Sequence, residues 1–344
     1  MIKMICRGVM LLSAMTLALT SCSRGMASLD IAGDMESEET PERGVFTFTV
    51  SLPPNGSNEA KTRLNFDGDN YGIKTTWNKN EDELLLFVTG ENENSQAVVA
   101  KIQTVSSDMH KATFEVNLFK DWVKGACHVY GLLQNRSPNL QGGQDAEFPI
   151  RENEKGERYF EIKTNEDLYS SYHTSNPAMW FDQKLDNIED MGKLNISLQH
   201  CGYLLAIHIK NTNLKEDLMI KRLEAFTKDS KDLFFPEDNV KIMVKTGTCT
   251  TTKFSDHISL ANRDGTTPFM IIKSGQQDVL YHWLPYIGNQ TKFPELDMLR
   301  LKSEKGEYPF EVVIPSHTIE KGKVYHLFLE WNDALQDFKL VKRS

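Results

Sequence analysis

An all-β fold built as two tandem β-sandwich domains is predicted here by three observations. Apolar residues recur at period two in many short stretches, turn-forming residues separate those stretches, and helical periodicity is weak throughout. The chain has 344 residues and is 40% hydrophobic, so it can bury a sizeable core. That length suits about two domains of ~100–200 residues each.

The stretches are read in order. In the first, Phe46, Phe48, Val50 and Leu52 share one face, with Thr47, Thr49 and Ser51 opposite. That alternation predicts a half-buried strand over Gly44–Leu52, ended by Pro53-Pro54-Asn55-Gly56. Leu84–Val88 is continuously apolar, as in a strand buried on both faces. Ala112–Leu118 alternates, and Cys127–Leu132 and Tyr159–Ile162 complete the first half. The second half offers Leu194–Leu198, Tyr203–Ile209, Val240–Val244, Val279–Leu284, Phe310–Ile314 and Val324–Trp331, with Phe338 and Leu340 as a last short strand. Only two short helices are predicted, near Asp121 and over Glu295–Leu301. An echo links the halves: Glu154-Lys155-Gly156-Glu157 leads into Phe160-Glu161-Ile162, and Glu304-Lys305-Gly306-Glu307 into Phe310-Glu311-Val312. The polar stretch Asp182–Gly192 is the best boundary, placing the two domains at residues 44–188 and 189–344.

The N-terminus carries a different signal. Lys3 and Arg7 precede the apolar run Val9–Leu19, which is too short to be a comfortable membrane span. The run ends in Leu19-Thr20-Ser21-Cys22, which resembles the lipobox of bacterial lipoproteins. That resemblance implies removal of residues 1–21 and acylation of Cys22, with acyl chains holding a soluble body to the outer membrane at ~0.8 kcal/mol per buried CH₂. Residues 22–43 read as an acidic tether with no periodic apolar pattern.

Composition narrows the chemistry. A net charge of −9, with no basic run interleaved with aromatics, argues against nucleic acid as a partner. Cys127, Cys201 and Cys249 are far apart and lack C-x-x-C spacing. Buried free thiols are the first reading, and one disulfide among the three stays open in an oxidising compartment. No nucleophile elbow, zinc-helix motif or phosphate-cradling loop is present, so neither an enzyme nor a cofactor or metal is expected. His208, His282 and His326 each sit inside a strand pattern and read as polar-face or core residues. Asp67–Gly72 looks like a calcium loop but carries Tyr71 and Asn78 where ligands belong, and reads as a solvated turn.

Thr62-Arg63-Leu64, then Lys74-Thr75-Thr76-Trp77 followed by the acidic turn Glu81-Asp82 and the apolar Leu84–Phe87, resembles the fimbrillin family of Bacteroidales. Lys193–Asn211 and Gly322-Lys323-Val324-Tyr325-His326-Leu327 fit the same pattern. Glu81-Asp82 stands where the family usually has Gly-Asp. The resemblance implies transthyretin-like sandwiches, export as a lipoprotein, and a place in surface fimbriae among other fimbrial subunits or host and bacterial surface ligands. It also implies release of the first strand by a protease cutting after a basic residue, the groove then being filled by a partner's strand. Cleavage after Arg63 would free the Gly44–Leu52 strand, whereas cleavage after Arg43 would shed only the tether. The short stretch after Trp331 favours a tip or accessory role over a stalk role. A second reading is a surface glycan-binding lipoprotein with Trp180, Trp283 and Trp331 as sugar platforms.

Overall fold

The structure is a computed structural model. It describes residues 43–53, 76–77, 79–80, 82–120, 123–133, 150–162, 178–237, 239–261, 267–288, 290–332, 334–335 and 337–341. Among them nearly all of the regular secondary structure is strand. The first group is β1 (Arg43–Ser51), β2 (Glu83–Gly90), β3 (Ser95–Val105), β4 (Lys111–Phe119), β5 (Cys127–Leu133), β6 (Ile150–Glu152), β7 (Arg158–Ile162), β8 (Met179–Leu185), β9 (Asn195–Ser197) and β10 (Gln199–His200). The second group opens with β11 (Gly202–Asn211), β12 (Leu218–Thr227), β13 (Phe235–Pro236), β14 (Val240–Met243), β15 (Cys249–Thr250), β16 (Phe254–Ser255) and β17 (His257–Ala261). It continues through β18 (Met270–Ile272), β19 (Gln277–Pro285), β20 (Lys292–Phe293), β21 (Leu296–Ser303), β22 (Glu307–Ile314), β23 (His317–Thr318), β24 (Val324–Asn332) and β25 (Asp337–Leu340). The one helical element among the described residues is a 3-10 turn, η1 (Ile188–Lys193).

Eight strands form the first sheet, in the order β10-β8-β5-β2-β3-β4-β1-β9. Its two ends are held by one short piece of chain. Asn195–Ser197 pairs with β1, and the next residues but one, Gln199–His200, pair with β8. The sheet is therefore rolled, and one apolar cluster fills it. Phe181 of β8 and Ile196 of β9, from opposite ends of the strand order, belong to that cluster together with Phe48, Leu86, Phe114 and Val129. Rolling a sheet removes the open edges that would otherwise invite pairing with another chain. Gly131 leaves room for the ring of its ladder partner Phe181 to lie over it, since a Cβ there would be 2.0 Å from that ring.

The continuous apolar run of β2 is explained by its two buried faces. Leu84, Leu86 and Val88 point into the rolled core. Leu85 and Phe87 belong to a second cluster with Tyr130 and Leu132 of β5, Phe160 and Ile162 of β7, and Val240 and Ile242 of β14. The cover over that outer face is a four-stranded sheet, β15-β14-β7-β6, in which β7 pairs with β14 from Val240↔Ile162 to Met243↔Tyr159. The remaining strands make a sandwich. The sheet β19-β11-β24-β25 faces the sheet β17-β12-β21-β22, and Ile207, Ile209, Leu223, Leu299, Leu301 and Leu329 pack between them. The chain is thus an all-β sandwich protein, and Pro41–Ser344 is one compact unit.

One sequence expectation needs correction. Glu295–Leu301 is not helical: Leu296–Ser303 is strand β21. A bulge between Leu296 and Met298 shifts the buried face by one residue, so Leu296 and Leu299 acquire the i, i+3 spacing of a helix. Asp121 lies outside the described residues, and no helix flanks it among the described ones. The polar stretch Asp182–Gly192 contains the end of β8 and the first turn of η1, whose Ile188 and Met191 are buried in the rolled core. The internal echo proves to be two hairpin turns. Gly156 precedes β7 and Gly306 precedes β22, both at positive φ, and Phe160 and Phe310 follow as buried residues.

Candidate strand-exchange site

The first strand is where the sequence and the fold meet. β1 alternates without a break: Phe46, Phe48, Val50 and Leu52 are buried, while Arg43, Val45 and Thr47 face solvent. Burying such side chains is worth roughly 1.5–3 kcal/mol each. Phe48 stacks on Phe114 at a centroid distance of 5.9 Å, and Phe114 meets the edge of Trp77 at 5.2 Å. Trp77 is itself fixed by its indole N–H, which donates to the His110 carbonyl at 3.2 Å. The tryptophan singled out in the sequence therefore packs against the ring that β1 covers.

The two sides of β1 are held unequally. On one side an antiparallel ladder runs its full length, from Arg43↔Phe119 to Ser51↔Lys111. On the other, β9 pairs in parallel with Thr49–Ser51 only. Two further bonds serve that end: Thr49 N–H donates to the Leu194 carbonyl at 3.1 Å, and Leu198 N–H donates to the Ser51 carbonyl at 3.0 Å. Next to this short pairing η1 packs against β1, with Gly192 beside the Thr47 carbonyl. Asn187 caps η1 by accepting from the Glu189 N–H at 3.2 Å, and Glu189 reaches Lys120 at 3.7 Å, just past the end of β4. A 3-10 turn cannot continue a ladder, so β1 lies at the seam of the rolled sheet.

Of the two basic residues proposed for processing, Arg43 is the first residue of β1. Its guanidinium lies 4.3 Å from the centroid of the Phe119 ring, and its backbone is opposite Phe119 in the ladder. A protease would have to open that end of the ladder to cut there. Arg63, Cys22 and the Asp67–Gly72 turn lie outside the described residues. Sequence reading missed η1, although Asn187 followed by apolar residues at 188 and 191 is a usable cap-and-face signal.

The other candidate groups are arranged as follows. Trp283 and Trp331 are buried. Trp180 is half-buried, donates its indole N–H to the Val244 carbonyl at 2.9 Å, and has Gly247 packed on its ring. These rings are wall and core, not sugar platforms. His208 and His326 face each other, Nε2 to Nδ1, at 2.8 Å. The Cys127 thiol is pushed up to about 11, first by burial and then by the negative charge of Asp190, which makes it a poor nucleophile. Among the described residues no three His, Cys, Asp or Glu side chains gather closely enough to hold a metal ion. No helix among them is long and apolar enough to cross a membrane.

The class defined by this geometry is an all-β protein with a rolled, strand-closed sheet beside a β-sandwich. Solved structures with a similar course of chain come from Bacteroidales. A candidate cell adhesion protein of Bacteroides ovatus is 9% identical, with a TM-score of 0.44, over 88% of this chain and 97% of that one. One from Bacteroides uniformis is 10% identical, with a TM-score of 0.45, over 87% and 96%. A fimbrial assembly protein of Parabacteroides distasonis is 14% identical, with a TM-score of 0.34, over 87% and 100%. No family model and no curated protein matches the sequence.

Proposed function

We propose that this protein is a fimbrillin-like surface lipoprotein that acts in cell adhesion or fimbrial assembly by exchanging its first strand for a strand from a partner subunit. The observation that carries the reading is the seat of β1. Its apolar face completes a core, yet only β4 holds it along its whole length, and β9 holds three residues. A strand so placed can leave by breaking one long ladder and a short three-residue pairing. The groove it vacates offers backbone groups for affinity and pockets at alternate residues for register. Cleavage after Arg63 converts β1 from a covalent part of the sheet into a bound peptide. The buried or wall positions of Trp180, Trp283 and Trp331 count against the glycan-binding alternative.

Limited trypsin digestion of the folded protein, followed by a labelled peptide of residues 44–52, tests this. We expect a cut after Arg63, retention of the N-terminal fragment, and its slow replacement by the peptide. Because trypsin also cuts after the nearby Lys61 and Lys74, the control uses an arginine-specific protease, which the R63A variant should resist at this stretch, leaving the peptide unexchanged. A protein that is cut but never takes up the peptide would show that β1 is permanent. The surface location rests on Cys22. Labelling with a fatty-acid analogue should mark the wild type and leave C22A unmarked, and equal labelling of the two would remove the lipid anchor from the proposal.

A further inference from the structure

We propose that Cys201 and Cys249 form a disulfide when the chain folds under oxidising conditions, and that Cys127 stays a thiol. The sequence leaves three pairings open among these cysteines. The fold separates them into two places. Cys127 belongs to the rolled core, opposite Leu185 in the ladder to β8, whereas Cys201 and Cys249 share the cluster beneath the β15-β14-β7-β6 sheet. The Cys249 Sγ lies 3.2 Å from the Cys201 carbonyl oxygen, and the two thiols are within hydrogen-bonding reach of each other.

The backbone already holds both residues. Cys201 donates to the Ala178 carbonyl at 3.0 Å and accepts from the Tyr286 N–H at 3.1 Å. Cys249 pairs with Ile242 in β14 and bridges in parallel to Ile287. The adjacent residues Tyr286 and Ile287 thus act as a common rail for the two cysteines, and the pairing asks for little backbone movement. The bond would join the β14–β15 hairpin to the chain just before β11. That hairpin carries the pairing with β7 that covers β2 and β5, so the staple would fix the cover over the outer face of the rolled sheet.

Both thiols are fully buried in the fold, with 1% and 0% exposure, so the bond belongs to folding rather than to the finished structure. In the step, a small-molecule disulfide such as oxidised glutathione accepts two electrons. Each protein thiol gives up a proton, one S–S bond forms between Cys201 and Cys249, and the oxidant's S–S bond opens into two thiols.

The test is refolding of the full chain from denaturant with oxidised and reduced glutathione, alkylation of remaining thiols, and tryptic mapping. We expect peptides Leu194–Lys210 and Thr246–Lys253 to appear joined and two hydrogens lighter than their sum, with Gly125–Arg136 recovered alkylated at Cys127. The joined form should unfold a few degrees above the reduced form. C127A should give the same joined pair, and C249A should leave Cys201 alkylated. Recovery of both peptides alkylated, or of either joined to any other cysteine, would overturn the proposal. So would a joined form that unfolds at a lower temperature than the reduced one.

Discussion

Phe48→Ala should cost about 3–5 kcal/mol of stability, the usual range for deleting a buried aromatic ring. Phe48 is 2% exposed and stacks on Phe114 directly across the ladder, and Phe114 in turn packs on Trp77. Truncation leaves a void bounded by two large rings that are themselves pinned, so neighbours can collapse only partly into it. About 0.5–1.5 kcal/mol of the loss is the aromatic pair itself. The change should fall hardest on β1, because that strand has one full-length neighbour. Urea unfolding gives the total, and hydrogen exchange gives the distribution. Protection should drop most in residues 43–52, and labelled peptide should enter the cut protein faster than in wild type. Unchanged stability, or a loss spread evenly over β1, β2 and β5, would mean that β1 is not the weakly held strand.

Acidification should destabilise the sandwich of β19-β11-β24-β25 on β17-β12-β21-β22 between about pH 6.5 and pH 4. Burial lowers His282 from its ordinary value of 6.5 to about 4, and lowers His326 likewise to about 4. His282 stands on β19 opposite Leu205, between the core residues Leu280 and Leu284. His326 faces His208 at 2.8 Å, and Gln277 Nε2 lies 3.5 Å from His208 Nδ1, so a second proton on that pair would set two cations together. In this window the unfolded chain binds protons that the folded chain refuses, so stability rises with pH. It is complete above about 6.5 and lost as pH falls toward 4. For His282 the full loss is about 3 kcal/mol at ~1.4 kcal/mol per pH unit. Asp108 and Asp217 act in a different range. Ser106 holds the Asp108 carboxyl below its ordinary 3.8, and Lys273 does the same for Asp217. Their stabilisation is present above that value and disappears only below it. Melting curves from pH 7 to pH 4 measure the slope, and H282L should flatten it. A His282 ring that titrates near 6.5 by NMR would refute the argument.

Much of the local structure was legible because strand periodicity is a local property. Phe46, Phe48, Val50 and Leu52 alternate, and the strand is there. Leu84–Val88 is apolar at every position because both faces of β2 are buried. Legibility failed where the period broke. Bulges at Ile220/Arg222 and Leu296/Met298 shift the buried face within β12 and β21, so β12 went unread and β21 looked helical. Ser95–Val105 escaped for the same reason, with an irregularity between Ile102 and Thr104.

The candidate site divides in the same way. Residue order alone marked β1 as a separable apolar strand, placed Arg43 and Arg63 on either side of it, and singled out Trp77 nearby. It also left Cys127, Cys201 and Cys249 as three equivalent thiols. Only the tertiary structure decided that β4 and β9 are the neighbours of β1, that η1 packs against β1, and that Cys249 meets Cys201. The physical reason is that a side-chain period reports which face of a strand is buried, but a backbone hydrogen bond has nearly the same strength whichever strand supplies the partner. The choice of partner is made by how apolar faces close over one another. Phe160 on β7 and Ile242 on β14, far apart along the chain, come to lie side by side because together they cover Leu85 and Phe87.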